Sequence, residues 1–193
     1  MLIDQDKELK EAILELPEKE KIKLLLKLIS KDITLMNQLR HQLVDGHDSV
    51  DQKRGLVLKK IDGLFGRVKR LIEHYPARMS PGELLMHMRE ISGLVNQHVL
   101  ITKDKIGDIE LRLHILQMGF AMLPEDALLE PNRRNKTLVE YIAGRMKYIL
   151  PKYRKLHEDY QYDLKDSMNA VLLSIYNSAV SRLATELNFP KQV

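Results

Sequence analysis

Between Lys103 and Met122 the apolar residues form two strips rather than one: Ile106, Ile109, Leu113, Leu116 and Phe120 along one side, Leu111, Ile115, Met118 and Met122 along another. An amphipathic helix needs one apolar stripe facing a core, and two stripes need neighbours on both sides. The segment therefore belongs in the middle of a helical bundle, and the rest of the chain has to supply its cover.

Helical candidates for that cover run the length of the sequence. Asp4 to Glu15 reads as a short helix. Pro17 starts a second, Glu18 to Ile29, with Ile22, Leu25, Leu26 and Ile29 on one face. Asp32 is placed to cap a third, Ile33 to Val44, ended by Gly46. The run from Ile22 through Asp32 to Leu43 resembles one HEAT-type repeat, but it lacks an arginine after the turn. No second copy follows at a period of roughly 35 to 50 residues.

The polar stretch His47 to Gly55 reads as a connector into a helix that continues to Tyr75 and is stopped by Pro76. Its core face is Val57, Ile61, Leu64, Phe65, Val68, Leu71, Ile72 and Tyr75. Gly55, Gly63 and Gly66 imply close approach of a neighbouring helix, since glycine inside a helix costs about 1 kcal/mol relative to alanine. Ser80-Pro81-Gly82-Glu83 is a capping box with proline at the first helical position. It opens a helix to about Ile101, with Leu84, Met88, Ile91, Val95 and Val99 inward. Leu123-Pro124 ends the doubly apolar helix, and Pro124 to Leu129 reads as one turn. A further helix spans Asn132 to Tyr160, with a kink or break expected at Pro151. Asp163 to Asn188 reads as one long helix, with Phe189-Pro190 in a tail.

The fold expected is all-α, with seven to eight helices: a short N-terminal hairpin packed on an antiparallel bundle of five longer helices. The chain reads as a single helical domain, 1–193, with 1–46 an N-terminal subdomain and 47–193 the main bundle. At 193 residues it can bury about 70% of its unfolded surface without staples. The absence of cysteine excludes disulfides, thiolate metal sites and cysteine nucleophiles. No apolar run reaches the roughly 18 residues of a membrane span. The N-terminus, with Asp4, Asp6, Glu8 and Glu11, is unlike a cationic signal peptide. A cytoplasmic protein without a membrane partner is expected. No nucleotide-binding, zincin, nucleophile-elbow or zinc-finger spacing occurs, so no catalytic residue is assigned. The first 46 residues contain no aromatic residue, which argues against a DNA-reading head of the repressor kind.

The helix from Asn132 to Tyr160 carries the strongest functional pattern. Leu138, Val139, Ile142, Ala143, Met146, Ile149, Leu150, Tyr153 and Leu156 occupy an apolar arc of roughly 140°. Beside it, Arg134, Tyr141, Arg145, Tyr148, Lys152 and Lys155 line up as four cations and two phenols. Such a strip suits a phosphate backbone with stacked bases, or serves as a solvated edge with snorkelling side chains. Lys53, Lys60, Arg67 and His74 form a second basic flank, within a stretch from Asp51 to Arg70 holding seven basic and two acidic residues. The net charge is +4.

Histidines and carboxylates provide the one metal pattern. His87 with Glu90, and Glu110 with His114, resemble the ligands of helical bundles that bind two metal ions. The spacing departs from the Glu-x-x-His of those bundles, and no cofactor is assigned. The expected function is a non-enzymatic helical interaction module whose partner-binding residues are Arg134, Tyr141, Arg145, Tyr148, Lys152 and Lys155 with Lys53, Lys60 and Arg67. An acidic protein partner leads, a nucleic acid is the alternative, and a metal-dependent bundle enzyme comes third. Self-association is left open.

Overall fold

A computed structural model describes residues 3–46, 49–75, 80–122 and 130–193. Among them are nine α-helices, one 3-10 turn and no strand. No helix of the described residues is long and apolar enough to cross a membrane. The contacts divide the chain into two compact units, Met1–His47 and Asp48–Val193. His47, the stop at Pro76 and the turn placed over Pro124 to Leu129 lie outside the described residues.

The first unit holds the turn Ile3–Gln5 and three helices, α1 Lys7–Glu15, α2 Glu18–Ile29 and α3 Ile33–Leu43. Asp6, rather than Asp4, begins α1, because its carboxylate accepts the Leu9 N–H at 3.1 Å. The Asp32 side chain takes the Thr34 and Leu35 N–H groups at 2.9 and 3.0 Å, as a capping aspartate should. α2 packs on α3 and α1 on the turn before it. None of these helices contains a buried residue.

The second unit is built from α4 Ser49–His74, α5 Pro81–Thr102, α6 Lys105–Ala121, α7 Lys136–Tyr153, α8 Glu158–Tyr176 and α9 Ser181–Glu186. The expected connector before Gly55 is therefore mostly helix. α6 packs against α4, α5, α7 and α8, which confirms its place in the middle. Ile109, Leu113 and Leu116 from one strip and Leu111, Ile115 and Met122 from the other are buried. α5 and α6 run antiparallel. Asn96 meets Arg112, and eight residues earlier Met88 lies under Gly119, where an added Cβ would stand 2.6 Å from the Met88 Cε. The Ser80 capping box forms as the sequence requires, with Glu83 Oε2 2.8 Å from the Ser80 N–H. Between α5 and α6 the chain turns through Lys103 at φ 58°, a left-handed conformation a non-glycine residue adopts at some cost.

Several expectations need correction. Open space surrounds Gly55, Gly63 and Gly66, so no helix approaches them closely. Leu71 of α4 and Tyr75 just after it are exposed, since α4 is covered mainly through Ile61, Phe65 and Val68. Asn132 to Tyr160 is not one helix. It stops at Tyr153, two residues after Pro151, and restarts at Glu158. Proline supplies no N–H to the preceding turn, and His157 recaps the chain through Nδ1, which accepts the Asp159 N–H at 3.4 Å. The last long helix is likewise broken. Ser178 Oγ donates to the Ile175 carbonyl at 2.9 Å and accepts the Val180 N–H at 3.3 Å, a local alternative to helix that serine favours. The C-terminal residues are not a loose tail. Phe189 is buried, its carbonyl accepts the Tyr176 hydroxyl at 2.6 Å, and the Val193 N–H reaches Asn169 Oδ1 at 2.8 Å.

Candidate interaction surface

The apolar arc of α7 is inside as expected, from Leu138 to Tyr153, and its basic-aromatic edge turns towards α5 and α6. That edge divides into two parts with different chemistry. At its C-terminal end, Lys152 Nζ and the Tyr148 hydroxyl donate to the same oxygen of Asp108 at 2.6 and 2.8 Å, and Lys152 Nζ also donates to the Tyr148 hydroxyl oxygen in close contact. Asp108 is only 1% exposed and accepts on its other oxygen from Arg112 Nε at 2.7 Å. Arg112 passes on to Asn96 Oδ1 at 2.7 Å, and its guanidinium lies 4.8 Å from the centre of the Tyr148 ring. Burial pushes the Asp108 carboxyl up. Hydrogen bonds from Lys152 and Arg112, the Arg112 charge and the Tyr148 hydroxyl outweigh it and hold the group below the ordinary carboxylate range. This end of the strip is an internal ion network.

A second network closes the same end of the bundle. Asp104, the residue that caps α6, receives Arg54 of α4 through two nitrogens at 2.8 and 3.0 Å. The buried His98 ring reaches it at 3.0 Å and the Gly107 N–H at 2.9 Å. Burial raises the Asp104 carboxyl, but these donors and the Arg54 charge bring it far below its usual range. Gly107 is the glycine that close approach demands, since a Cβ there would stand 2.7 Å from Arg54 Nε. Neither network was marked by a motif. The available signal was charge on a helix covered on two sides, because Asp108 and Arg112 one turn apart on α6 had to be buried and therefore paired.

The other half of the edge is not neutralised. Tyr141 donates or accepts at 2.8 Å with Ser92 Oγ and lies 3.3 Å from the Met88 carbonyl, which fixes its ring against α5. Two guanidinium groups stand over that ring, Arg145 of α7 at 5.1 Å and Arg89 of α5 at 6.0 Å. No carboxylate among the described residues pairs with either. Arg145 Nε and Arg112 Nη1 are the two buried side-chain nitrogens without a hydrogen-bond partner among the described residues.

On the opposite edge of α5, Arg67 of α4 shares a cleft of about 200 Å³ with Leu64, Leu71, His87 and Glu90. Arg67 and the Arg145–Tyr141 pair thus flank α5 on either side. Lys60, Arg67, Arg134 and Lys155 are exposed, and Lys53 is half-buried. Between the flanks, α5 presents Met86 and Leu100 to solvent.

The metal candidates are not brought together. Glu110 lies 3.4 Å from Arg54, His114 bonds Asp62 at 2.6 Å, and His87 faces Glu90 at 4.0 Å on another side of the bundle. No group of three metal-capable side chains forms among the described residues.

The chain matches no protein-family model, and it has no significant match among curated proteins or solved structures.

Proposed function

We propose that this chain is a non-enzymatic helical interaction module that takes an acidic segment of a protein partner along the outer side of α5, between the Arg67 edge of α4 and the Arg145 edge of α7. The observation that carries this reading is the Arg145–Tyr141–Arg89 stack, two cations held on one ring with no carboxylate partner among the described residues. A guanidinium fixed in place binds a carboxylate through two parallel hydrogen bonds and loses little side-chain freedom in doing so. The phosphate-backbone alternative is less well supported, because its bases need free ring faces. The Tyr141 ring carries two guanidinium groups, and the Tyr148 ring carries Arg112 and Lys152.

The test is fluorescence anisotropy with a labelled glutamate-rich peptide, and with single-stranded and duplex oligonucleotides, at low and physiological salt. The control is the double variant Arg89→Gln with Arg145→Gln. Peptide binding that weakens about 10- to 100-fold in the variant, with an unchanged melt, is the expected result. Equal affinity of the two proteins for the peptide, or binding of oligonucleotides alone, would overturn it. Lys152 is unsuitable for charge reversal, since a glutamate there would face Asp108 across the 2.6 Å contact and destabilise the fold.

A further inference from the structure

Among its described residues the first unit carries eleven large apolar side chains that are more than a third exposed, among them Leu14 at 63%, Leu26 at 60% and Leu28 at 54%. α2 is apolar on two sides, with Ile22, Leu25, Leu26 and Ile29 on one and Leu24 and Leu28 on the other. A helix apolar on two sides belongs in an interior, and here its main packing partner among the described residues is α3. Units of about 40 residues rarely hold together without a disulfide, a metal or oligomerisation, and the chain has no cysteine.

The charges of the same unit indicate what covers it. From Asp4 to Glu15 there are five acidic and two basic residues; from Glu18 to Lys31 there are two acidic and five basic. Glu8, Glu11 and Glu15 recur at helical spacing along one flank of α1, and Lys19, Lys23 and Lys27 along one flank of α2. Each flank borders apolar residues and is about 10 to 12 Å long. We infer that the first unit is a homodimerisation element, in which α1 of one copy lies on α2 of a second copy and the contact repeats about a two-fold axis. An isologous interface needs a surface that carries both halves of its own complement, and the acidic and basic flanks supply them. The area suits a small interface. A fully exposed large aliphatic side chain offers roughly 100 Å² by the usual area-to-energy scale, so the seven of these on α1 and α2, at about half exposure, give roughly 350 Å². The apolar share of the smallest specific interfaces is about 340 Å² per partner.

The test uses the full chain and sedimentation velocity at about 50 µM, above the micromolar Kd at the weak end for such interfaces. One variant carries Glu8→Lys, Glu11→Lys and Glu15→Lys; the other carries Lys19→Glu, Lys23→Glu and Lys27→Glu. Wild type should sediment at twice the 22.5 kDa chain mass. Each variant alone should be a monomer, and their equimolar mixture should recover the dimer, since every opposed pair is then of opposite sign. Folding failure of either variant would show as lost helicity, and in that case Leu25→Ser with Leu28→Ser must abolish the dimer while leaving the melt of the second unit in place. A monomeric wild type, variants that stay dimeric, folded variants whose mixture stays monomeric, or a dimeric serine variant would each overturn the assignment.

Discussion

In the second unit a carboxylate, Asp108, is 1% exposed; in the first a leucine, Leu25, is 56% exposed. Polarity alone predicts the reverse. Asp108 is inside because α6 is surrounded by four helices and three donors converge on its two oxygens. Leu25 is outside because α2 packs mainly on α3 among the described residues and is apolar on two sides. Burial in this protein follows the number of packing partners an element has, and side-chain chemistry must then adapt by pairing. The second unit meets that demand internally, whereas the first is completed by the second copy proposed above.

The largest effect that would break this contrast is the same substitution made in both units. Ile109→Asp places an unpaired carboxylate at a position 1% exposed, which should cost more than about 5 kcal/mol and abolish the cooperative melt of the second unit. Leu25→Asp should leave that melt within about 0.5 kcal/mol of wild type, the range for surface changes. Thermal denaturation followed by circular dichroism checks both. A cooperative Ile109→Asp protein melting near wild type would mean that the inward face of α6 is misassigned.

Asp108→Ala should come next, at about 3 to 5 kcal/mol, because it leaves Arg112, 4% exposed, as a buried charge without its partner. Urea denaturation of the second-unit transition measures it. A loss below about 1 kcal/mol would show that water replaces the carboxylate and that this end of α7 is a surface after all.

The sequence made local features legible and left non-local pairings unread. The α2 limits, the Ser80 cap, the double coverage of α6 and the apolar arc of α7 follow from periodicity and capping, which are set within a few residues. The end of α7 just after Pro151 was half legible, since proline weakens a helix without fixing the residue at which it stops. The break at Ser178 and the docking of Phe189 on Tyr176 depend on partners that periodicity does not register. Of the candidate strip, the six residues were identifiable, but not their division. Tyr148 and Lys152 meet an aspartate 40 and 44 positions away, whereas Arg145 meets none among the described residues. Arg54 and Asp104, 50 positions apart, were invisible for the same reason.

That last pair gives the smallest of the expected effects and a distinct signature. Asp104→Asn keeps the shape and loses the charge that Arg54 and His98 face, at about 2 kcal/mol near neutral pH, the scale of a hydrogen bond to a charged group. The folded-state carboxyl of Asp104 is held below its unfolded value, so its contribution is complete above about pH 4 and is lost only as the pH falls through the lower folded value. The gap in urea midpoint between wild type and Asp104→Asn should therefore persist from neutral pH to about 4 and narrow below it. A gap that stays constant as the pH falls below about 4 would mean that Asp104 titrates as an ordinary exposed carboxyl. The Arg54 bridge from α4 to the start of α6 would then be a surface contact of little worth, and the Asp108–Arg112 pair would be left as the buried ion pair among the described residues of the second unit.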